Sequence, residues 1–324
     1  MRRRYRRRYR QNRTRGLCKD LRILLDCDPG IDDALAILTL LREPVDVTAM
    51  SAVVGNVPVE TGFRNLRDLA AFAGRSDIPI FRGAELPLVR DYTFDPTVHG
   101  MDGLGGARIP ASPSLRQEEH AATAFARLLR ASKEPVTWVA TGPLTNVALT
   151  LRLDPSLVDK VRSLVVMGGS TLRGNVTPAA EFNVYVDAEA WQSVLSSGIR
   201  PVMVGLNVTH MVGMSDEDFA LAEGIDTPVG QAARVMLAFY RKVYEQGGWG
   251  EPKLHDVVAV LGAVSPELLE TRPAYVAVET GSSLTYGMTV VDERVAPERC
   301  NCDVAVGVDA AAIRARMLKA LQSY

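Results

Sequence analysis

Four aspartates within eight residues form the part of the sequence best suited to chemistry: Asp26, Asp28, Asp32 and Asp33. Two carboxylates about 4 Å apart repel by roughly 1 kcal/mol in water and about 4 kcal/mol near a protein surface. A helix N-terminus offsets only about 0.3–1 kcal/mol of this. If several of these side chains converge, either some are protonated or a cation lies among them. No His or Cys is suitably spaced to join them, and oxygen ligands alone favour a hard cation, Ca²⁺ or Mg²⁺.

The elements around the aspartates place them at the end of a strand. An apolar run, Leu21 to Leu25, precedes them, and a helical pattern, Ala34 to Leu41, follows. Pro29-Gly30 supplies the tight turn between the two. In open α/β sheets, ligands bind beyond the carboxyl ends of the strands. Helix capping by Asp32 and Asp33 is the simpler alternative, but it does not account for all four acidic residues.

The pattern Asp-x-Asp-Pro-Gly-x-Asp-Asp, beginning at Asp26, resembles the start of the inosine–uridine preferring nucleoside hydrolases. The haloacid-dehalogenase phosphatases also place Asp-x-Asp after a strand, but they have Thr or Val where this chain has Pro29-Gly30. Further motifs follow in the order of the nucleoside hydrolase family and extend the resemblance over about residues 20–320: Gly55-Asn56, the turn at Thr141, Glu181-Phe182-Asn183 and His255-Asp256.

The resemblance implies a calcium site and a set of catalytic groups. Ca²⁺ would be held by Asp28, Asp33, the main-chain carbonyl of Thr141 and Asp256. Asp28 would also act as the general base towards water. His255 would assist the leaving base, as an acid or electrostatically. Asp26 would support the site from behind.

The resemblance also implies contacts with a ribonucleoside. Asp32 would bind a ribose hydroxyl, Asn56 would hold substrate and water, and His99 would line the base pocket. The remaining ribose contacts are assigned to Asn175, Glu181 and Asn183. Further candidates for contact with the base are Tyr240, Tyr244 and Trp249. The resemblance does not decide between a purine and a pyrimidine base.

Apolar runs that alternate with helical patterns predict the fold. The predicted strands include Val45–Val54, Val136–Ala140, Leu164–Met167 and Pro201–Leu206, and three more close the chain at Ala274–Val278, Met288–Val291 and Val304–Val308. We expect a single α/β domain over residues 20–324, with an open, mostly parallel, Rossmann-like sheet flanked by helices. The glycine-rich segments 83–116 and 247–250 are expected to be mobile loops at the active site.

Composition sets the remaining expectations. No apolar run approaches the roughly 18 residues of a membrane span. Residues 1–16 contain nine arginines and no acid, so 28 basic residues face 38 acidic ones in the rest of the chain. We expect residues 1–19 to be a disordered extension, for which a tail without a role is favoured over nucleic-acid contact. Four cysteines without zinc spacing indicate reduced thiols in a cytoplasmic protein.

Three functions are compatible with these residues. The first is calcium-dependent hydrolysis of ribonucleosides to ribose and a free purine or pyrimidine base, in nucleoside salvage, by a homodimer or homotetramer as in the family. The second is a dehalogenase-type phosphatase with Asp26 as nucleophile. The third is a non-catalytic protein that binds calcium or ribose.

Overall fold

The computed structural model describes residues 21–112 and 118–324. In these residues the core of the fold is a nine-stranded sheet. Its strands are β1 (Arg22–Cys27), β2 (Asp46–Ala52), β3 (Ile80–Arg82), β4 (Val136–Ala140), β5 (Val161–Met167), β6 (Val202–Val204), β7 (Leu269–Val278), β8 (Thr289–Asp292) and β9 (Cys302–Val308). The expected extension, residues 1–19, lies outside the described residues.

The strand order is β3-β2-β1-β4-β5-β6-β9-β7-β8. The first six strands run parallel to one another and to β9, and β7 and β8 add an antiparallel edge beyond β9. From β1 the chain builds outward through β2 and β3, then returns to add β4 on the other side of β1. Open α/β sheets bind their ligands beyond the carboxyl ends of the strands at such a reversal, which here is the end of β1 and β4. The predicted open, mostly parallel sheet is confirmed.

Eleven α-helices accompany the strands in the described residues. They are α1 (Ile31–Leu40), α2 (Val59–Phe72), α3 (Ala121–Ala131), α4 (Thr145–Leu153), α5 (Phe182–Val186), α6 (Ala188–Leu195), α7 (Leu206–Thr209), α8 (Asp216–Glu223), α9 (Pro228–Gly247), α10 (His255–Val264) and α11 (Ala310–Gln322). None of these helices combines the length and the apolar character needed to cross a membrane.

Two hydrophobic cores lie on opposite faces of the sheet. Alternate residues of β1 divide between them, because successive side chains of a strand point to opposite faces. Ile23 and Leu25 pack with α1, α2 and α10, whereas Leu24 packs with α3, α4 and α6. Both faces of the parallel sheet are therefore covered, which explains why its strands are continuous apolar runs rather than alternating ones.

Two predictions about elements need correction. The predicted strand Pro201–Leu206 is shorter, since α7 already begins at Leu206. The strand predicted from Ala274 begins five residues earlier, at Leu269, where it pairs with β9. Its first residues are largely exposed and have no apolar pattern, so backbone pairing rather than burial makes them a strand. Helices α5 and α6 were not predicted.

Candidate active site

The turn between β1 and α1 delivers three of the four clustered aspartates. Asp28 follows β1 directly, and Asp32 and Asp33 lie in the first turn of α1. The Gly30 N–H donates to Asp33 Oδ2 at 3.0 Å, so Asp33 caps the helix that carries it. The capping alternative is thus correct for Asp33, but capping occupies only part of its carboxylate.

A distant segment supplies the next carboxylate. Asp256 is the second residue of α10, and this helix packs against α1 in one of the two cores. One oxygen each of Asp32, Asp33 and Asp256 can be chosen so that all three lie within 4.8 Å of one another. The expected convergence of carboxylates is therefore present, but this group contains Asp32 and does not include Asp28, which the resemblance assigned to the metal.

Asp28 lies in a cradle formed by two glycines. A Cβ at Gly55 would overlap Asp28 Oδ2, and one at Gly142 would come within 2.7 Å of Oδ1. The carboxylate is fully buried, and Oδ2 accepts the Asn56 N–H at 2.6 Å. Oδ1 has no hydrogen-bond partner in the described part of the chain. A buried, unpaired carboxylate oxygen beside other carboxylates fits a cation ligand.

Burial dominates the electrostatics of this cluster. It raises the pKa of Asp32 to about 7 and the pKa of Asp28 and Asp256 well above the usual range, and the neighbouring carboxylates raise them further. The pKa of Asp33 is raised as well, although hydrogen bonds from Gly30, Thr141 and Asn56 counteract the shift. In the part of the chain that the structure describes, these shifts favour the protonated carboxyl groups, whereas a bound divalent cation would favour the ionised carboxylates.

Thr141 and Asn56 bind the same carboxylate from two sides. Thr141 Oγ1 donates to Asp33 Oδ1 at 2.7 Å, and Asn56 Nδ2 donates to Asp33 Oδ2 at 3.1 Å. The Thr141 main-chain carbonyl, predicted as a metal ligand, accepts Asn183 Nδ2 at 2.7 Å. A carbonyl oxygen has two lone pairs, so this bond leaves one available.

The predicted ribose-binding residues lie in the segment between β5 and α6. Glu181 is buried and caps α5: its oxygens accept the N–H groups of Gly169, Asn183 and Val184 at 2.9–3.2 Å. Burial raises its pKa to about 7. Asn183 is also buried. The Asn175 side chain is exposed and accepts the Phe182 N–H at 2.9 Å, which connects it to the turn that carries Glu181.

A chain of polar groups runs along the other side of the site. The hydroxyl groups of Tyr240 and Tyr244 lie 3.4 Å apart, and the Tyr244 hydroxyl lies 3.4 Å from His255 Nε2. His255 Nδ1 lies 2.8 Å from Thr209 Oγ1. Burial lowers the pKa of His255 to about 3, so its imidazole is neutral. The contact of Thr209 with His255 was not predicted. The one sequence signal for Thr209 is its position after a strand, directly before His210.

His99 approaches the aspartate turn from the glycine-rich loop. It is buried, its Nδ1 accepts the Ile31 N–H at 3.0 Å, and its ring stacks on Tyr240 with centroids 6.0 Å apart. Since Nδ1 accepts a hydrogen bond, it carries no proton, and burial lowers the His99 pKa to about 4. The 4.0 Å approach to Asp32 is therefore not an ion pair. Trp249 contacts Tyr244 edge-on and is 53% exposed.

Asp26 is separate from the cluster. Its Oδ1 accepts Ser51 Oγ at 2.5 Å and Asn146 Nδ2 at 2.8 Å, and the side chain is 1% exposed. Asn146 also binds the Ala52 carbonyl and the Ala84 N–H, which connects the ends of β2 and β3 to β1. Asp26 thus supports the turn from beneath, and it is not placed as the nucleophile of a phosphatase.

The sequence profile described as inosine-uridine preferring nucleoside hydrolase matches residues 23–315. The chain belongs to this family. Members of the nucleoside hydrolase family cleave N-glycosidic bonds, so the chain is an enzyme, an N-glycosyl hydrolase. Membership decides against the phosphatase and the non-catalytic binding protein.

Three relatives show how far the similarity to nucleoside hydrolases extends. The chain is 43% identical over 293 residues to "Pyrimidine-specific ribonucleoside hydrolase RihA" of Escherichia coli O7:K1 (strain IAI39 / ExPEC), an alignment that covers 89% of this chain and 94% of that protein. The structure of the purine-preferring ribonucleoside hydrolase from Gardnerella vaginalis superposes with a TM-score of 0.88 at 30% identity, covering 93% of this chain and 98% of that one. The plant nucleoside hydrolase PpNRh1 gives 0.87 at 30% identity, covering 94% and 99%.

The capping role of Glu181 leads to a prediction about stability. In Glu181→Gln an NH₂ group replaces one oxygen, so at least one of three buried N–H groups loses its acceptor. We expect the free energy of unfolding to fall by about 1–3 kcal/mol, measured by urea denaturation. Glu298→Gln, at an exposed position, should change it by less than about 0.5 kcal/mol. Equal stability of Glu181→Gln and wild type would contradict the capping role.

Proposed function

We propose that this protein hydrolyses ribonucleosides with the help of Ca²⁺ bound at the aspartate cluster. The observation that carries the proposal is the environment of Asp28. Its Oδ1 is buried without a hydrogen-bond partner in the described residues, and its carboxylate interacts electrostatically with the carboxylates of α1 and α10. A buried carboxylate oxygen that no hydrogen-bond donor binds, near other carboxylates, is suited to a cation.

The ligands of the ion would be Asp28, Asp33, Asp256 and the Thr141 carbonyl. All are oxygen donors, and no His or Cys belongs to the cluster of acidic groups found in the described residues. This composition favours Ca²⁺ over zinc or the softer transition metals. When bound, the ion would neutralise the carboxylates, bind sugar hydroxyls and make a water molecule more acidic.

The reaction replaces one bond to the anomeric carbon by another. The water oxygen bonds to C1′ of the ribose, the C1′–N bond breaks, and the electron pair of that bond leaves with the base. Asp28 accepts the proton of the attacking water, a role worth about 10²- to 10⁴-fold in rate. The peptide N–H of Asn56 binds Asp28 Oδ2, so that Oδ1 is the oxygen left to accept this proton.

Polar residues on the sheet side would bind the sugar. Asp32 would accept a hydrogen bond from a ribose hydroxyl, and Asn56 would donate to the sugar or its water. Asn183, whose Nδ2 donates to the carbonyls of Thr141 and Met167, would accept from a hydroxyl through Oδ1. Glu181 and Asn175 would bind further hydroxyls through lone pairs that their backbone contacts leave free. A sugar lacking one of these hydroxyls would leave a buried polar group unpaired, which penalises deoxynucleosides.

The base would occupy the aromatic side. His99 and Tyr240 offer stacked rings there, and the chain from Tyr240 through Tyr244 to His255 can pass a proton to the departing base. A neutral imidazole bound at both nitrogens can accept a proton on one side and release one on the other. We propose pyrimidine ribonucleosides as the better substrates, because the relative at 43% identity carries that name.

The biological setting is part of the same proposal. We propose a role in nucleoside salvage in the cytoplasm, as a homodimer or homotetramer. Cys27, Cys300 and Cys302 are free thiols, as expected in a reducing compartment. Light scattering coupled to size-exclusion chromatography would measure the oligomeric state directly.

Incubation with uridine, cytidine, inosine, adenosine and 2′-deoxyuridine tests the proposed function. Free ribose should appear with the ribonucleosides, fastest with the pyrimidines, and the deoxynucleoside should react far more slowly. Treatment with a calcium chelator followed by dialysis should abolish turnover, and added Ca²⁺ should restore it. The absence of ribose from every ribonucleoside in the presence of Ca²⁺ would falsify the proposal.

Asp28→Asn should separate chemistry from folding. The amide keeps the shape of the carboxylate but can neither accept the water proton nor bind the ion strongly, so we expect kcat to fall by about 10³-fold or more. Removal of a buried charge should leave the thermal midpoint of the metal-free protein equal or higher. Asp292→Asn, on the antiparallel edge, is the control and should keep full activity. Substantial activity in Asp28→Asn would rule out its role as general base.

Tyr244→Phe should affect only leaving groups that need a proton. We expect kcat for inosine to fall by about 10- to 100-fold, within the range of general acid catalysis. Hydrolysis of p-nitrophenyl riboside should change little, because p-nitrophenolate leaves without protonation. An equal loss with both substrates would show that Tyr244 shapes the pocket rather than passing a proton.

A further inference from the structure

Tyr92 lies in the long loop after β3, outside the set of residues assigned above. Its ring is half-buried and packs against a small apolar cluster at the exits of β2 and β3, formed by Val53, Val54 and Ala84. Its hydroxyl donates to the main-chain carbonyl of Gly55 at 2.8 Å. The ring is thus anchored by packing, and the hydroxyl binds a single backbone group next to the site.

The Gly55 carbonyl belongs to the peptide group whose N–H binds Asp28. That N–H, from Asn56, reaches Asp28 Oδ2 at 2.6 Å, a short distance typical of a charge-assisted bond. The peptide plane is rigid, so a group that holds its oxygen also directs its hydrogen. Tyr92 and Asp28 are therefore the two ends of one chain of hydrogen bonds through the Gly55–Asn56 peptide.

Close packing leaves this peptide little freedom to tilt without moving Asp28. A Cβ at Gly55 would overlap the Asp28 carboxylate, so the backbone and the carboxylate are in direct contact. The side chain of Asn56 meanwhile binds Asp33 at 3.1 Å. A small rotation of the peptide would shift two of the proposed calcium ligands together.

Hydrogen bonds in a chain strengthen one another, because a carbonyl that accepts a bond polarises the N–H of the same peptide. Burial and the nearby charge of Asp28 raise the pKa of Tyr92, so the hydroxyl keeps its proton and remains a donor. This polarisation makes the Asn56 N–H hydrogen, which faces Asp28 Oδ2, more positive. The bond to Oδ2 is strengthened, and Oδ1 is left without a hydrogen bond.

We propose that Tyr92 is a positioning residue for Asp28. Through the Gly55–Asn56 peptide, its hydroxyl holds the carboxylate in the orientation that binds the metal ion and accepts the proton of water. The inference rests on the function proposed above for the aspartate cluster. It also gives the loop that carries His99 a second role, because the same segment that approaches the base pocket sets the geometry of the general base.

Tyr92→Phe tests the hydroxyl, because it keeps the ring and its packing. The variant loses one hydrogen bond, from the Tyr92 hydroxyl to the Gly55 carbonyl, so we expect kcat for uridine to fall by about 3- to 10-fold. KM for uridine should change less than about twofold, since Tyr92 is placed against the backbone rather than the nucleoside. The dissociation constant for Ca²⁺, from calorimetric titration of the chelator-treated protein, should rise by about 3- to 10-fold.

Tyr324→Phe is the matched control. It removes another half-buried tyrosine hydroxyl that donates to a main-chain carbonyl, that of Leu38 at 2.6 Å, near the end of α1 away from the aspartates. Its kcat and calcium affinity should stay within about twofold of wild type. Tyr92→Leu, a second side chain without a hydroxyl, should lose calcium affinity and kcat at least as strongly as Tyr92→Phe.

The outcomes separate this inference from the proposed function. If Tyr92→Phe matches Tyr324→Phe in both kcat and calcium affinity, or raises KM alone, the positioning role is overturned while the hydrolase stands. If wild type binds Ca²⁺ but cleaves no nucleoside, the proposed function fails, and the calcium titration of Tyr92→Phe still decides whether Tyr92 positions Asp28. A wild type that neither binds Ca²⁺ nor cleaves nucleosides overturns both.

Discussion

Burial of several carboxylates close to one another is the constraint on which the rest of this structure depends. Asp28, Asp33 and Asp256 are each nearly or fully buried, and burial is the largest cause of the raised pKa of each. Carboxylates stay this close together in a fold only where well-packed helices and strands hold them in place. Here the exits of β1 and β4, the first turn of α1 and the start of α10 meet at the reversal of the strand order. The two hydrophobic cores stabilise those elements independently of the site, so the unfavourable electrostatics stay local.

Asp33 and Asp28 differ in how many hydrogen bonds their carboxylates accept, and this difference suits them to different roles in the site. Asp33 is bound on both oxygens by Gly30, Asn56 and Thr141, which suits a group that stays ionised and fixed. Among the described residues, Asp28 accepts a hydrogen bond on Oδ2 and none on Oδ1. Glycine at positions 55 and 142 makes this possible, because any side chain there would occupy the space of the carboxylate.

The two sides of the site differ in how they are built. The sugar side is made of backbone donors and short polar side chains at strand exits, which leave little room for change. The aromatic side comes from the glycine-rich loop and from α9, and its contacts are ring against ring. The relatives named as pyrimidine-specific and as purine-preferring both align with nearly the whole of this chain. The fold therefore does not determine the base, and the aromatic side is where a difference in base would have to arise.

The sequence by itself determined the local structure. It predicted a strand, a Pro-Gly turn and a helix start that together carry four acidic residues, and it predicted covered strands from continuous apolar runs between helical patterns. These follow from contacts between neighbours in the chain, so residue order is enough to predict them. Tertiary structure decided which acids meet. Asp26 turned away to Ser51 and Asn146, Asp32 entered the cluster, and a free oxygen remained on Asp28. The exposed start of β7 and the chain of polar groups through Thr209 likewise depend on partners that are distant in sequence. No local pattern encodes such contacts, because they exist only after the sheet has brought the strand ends together.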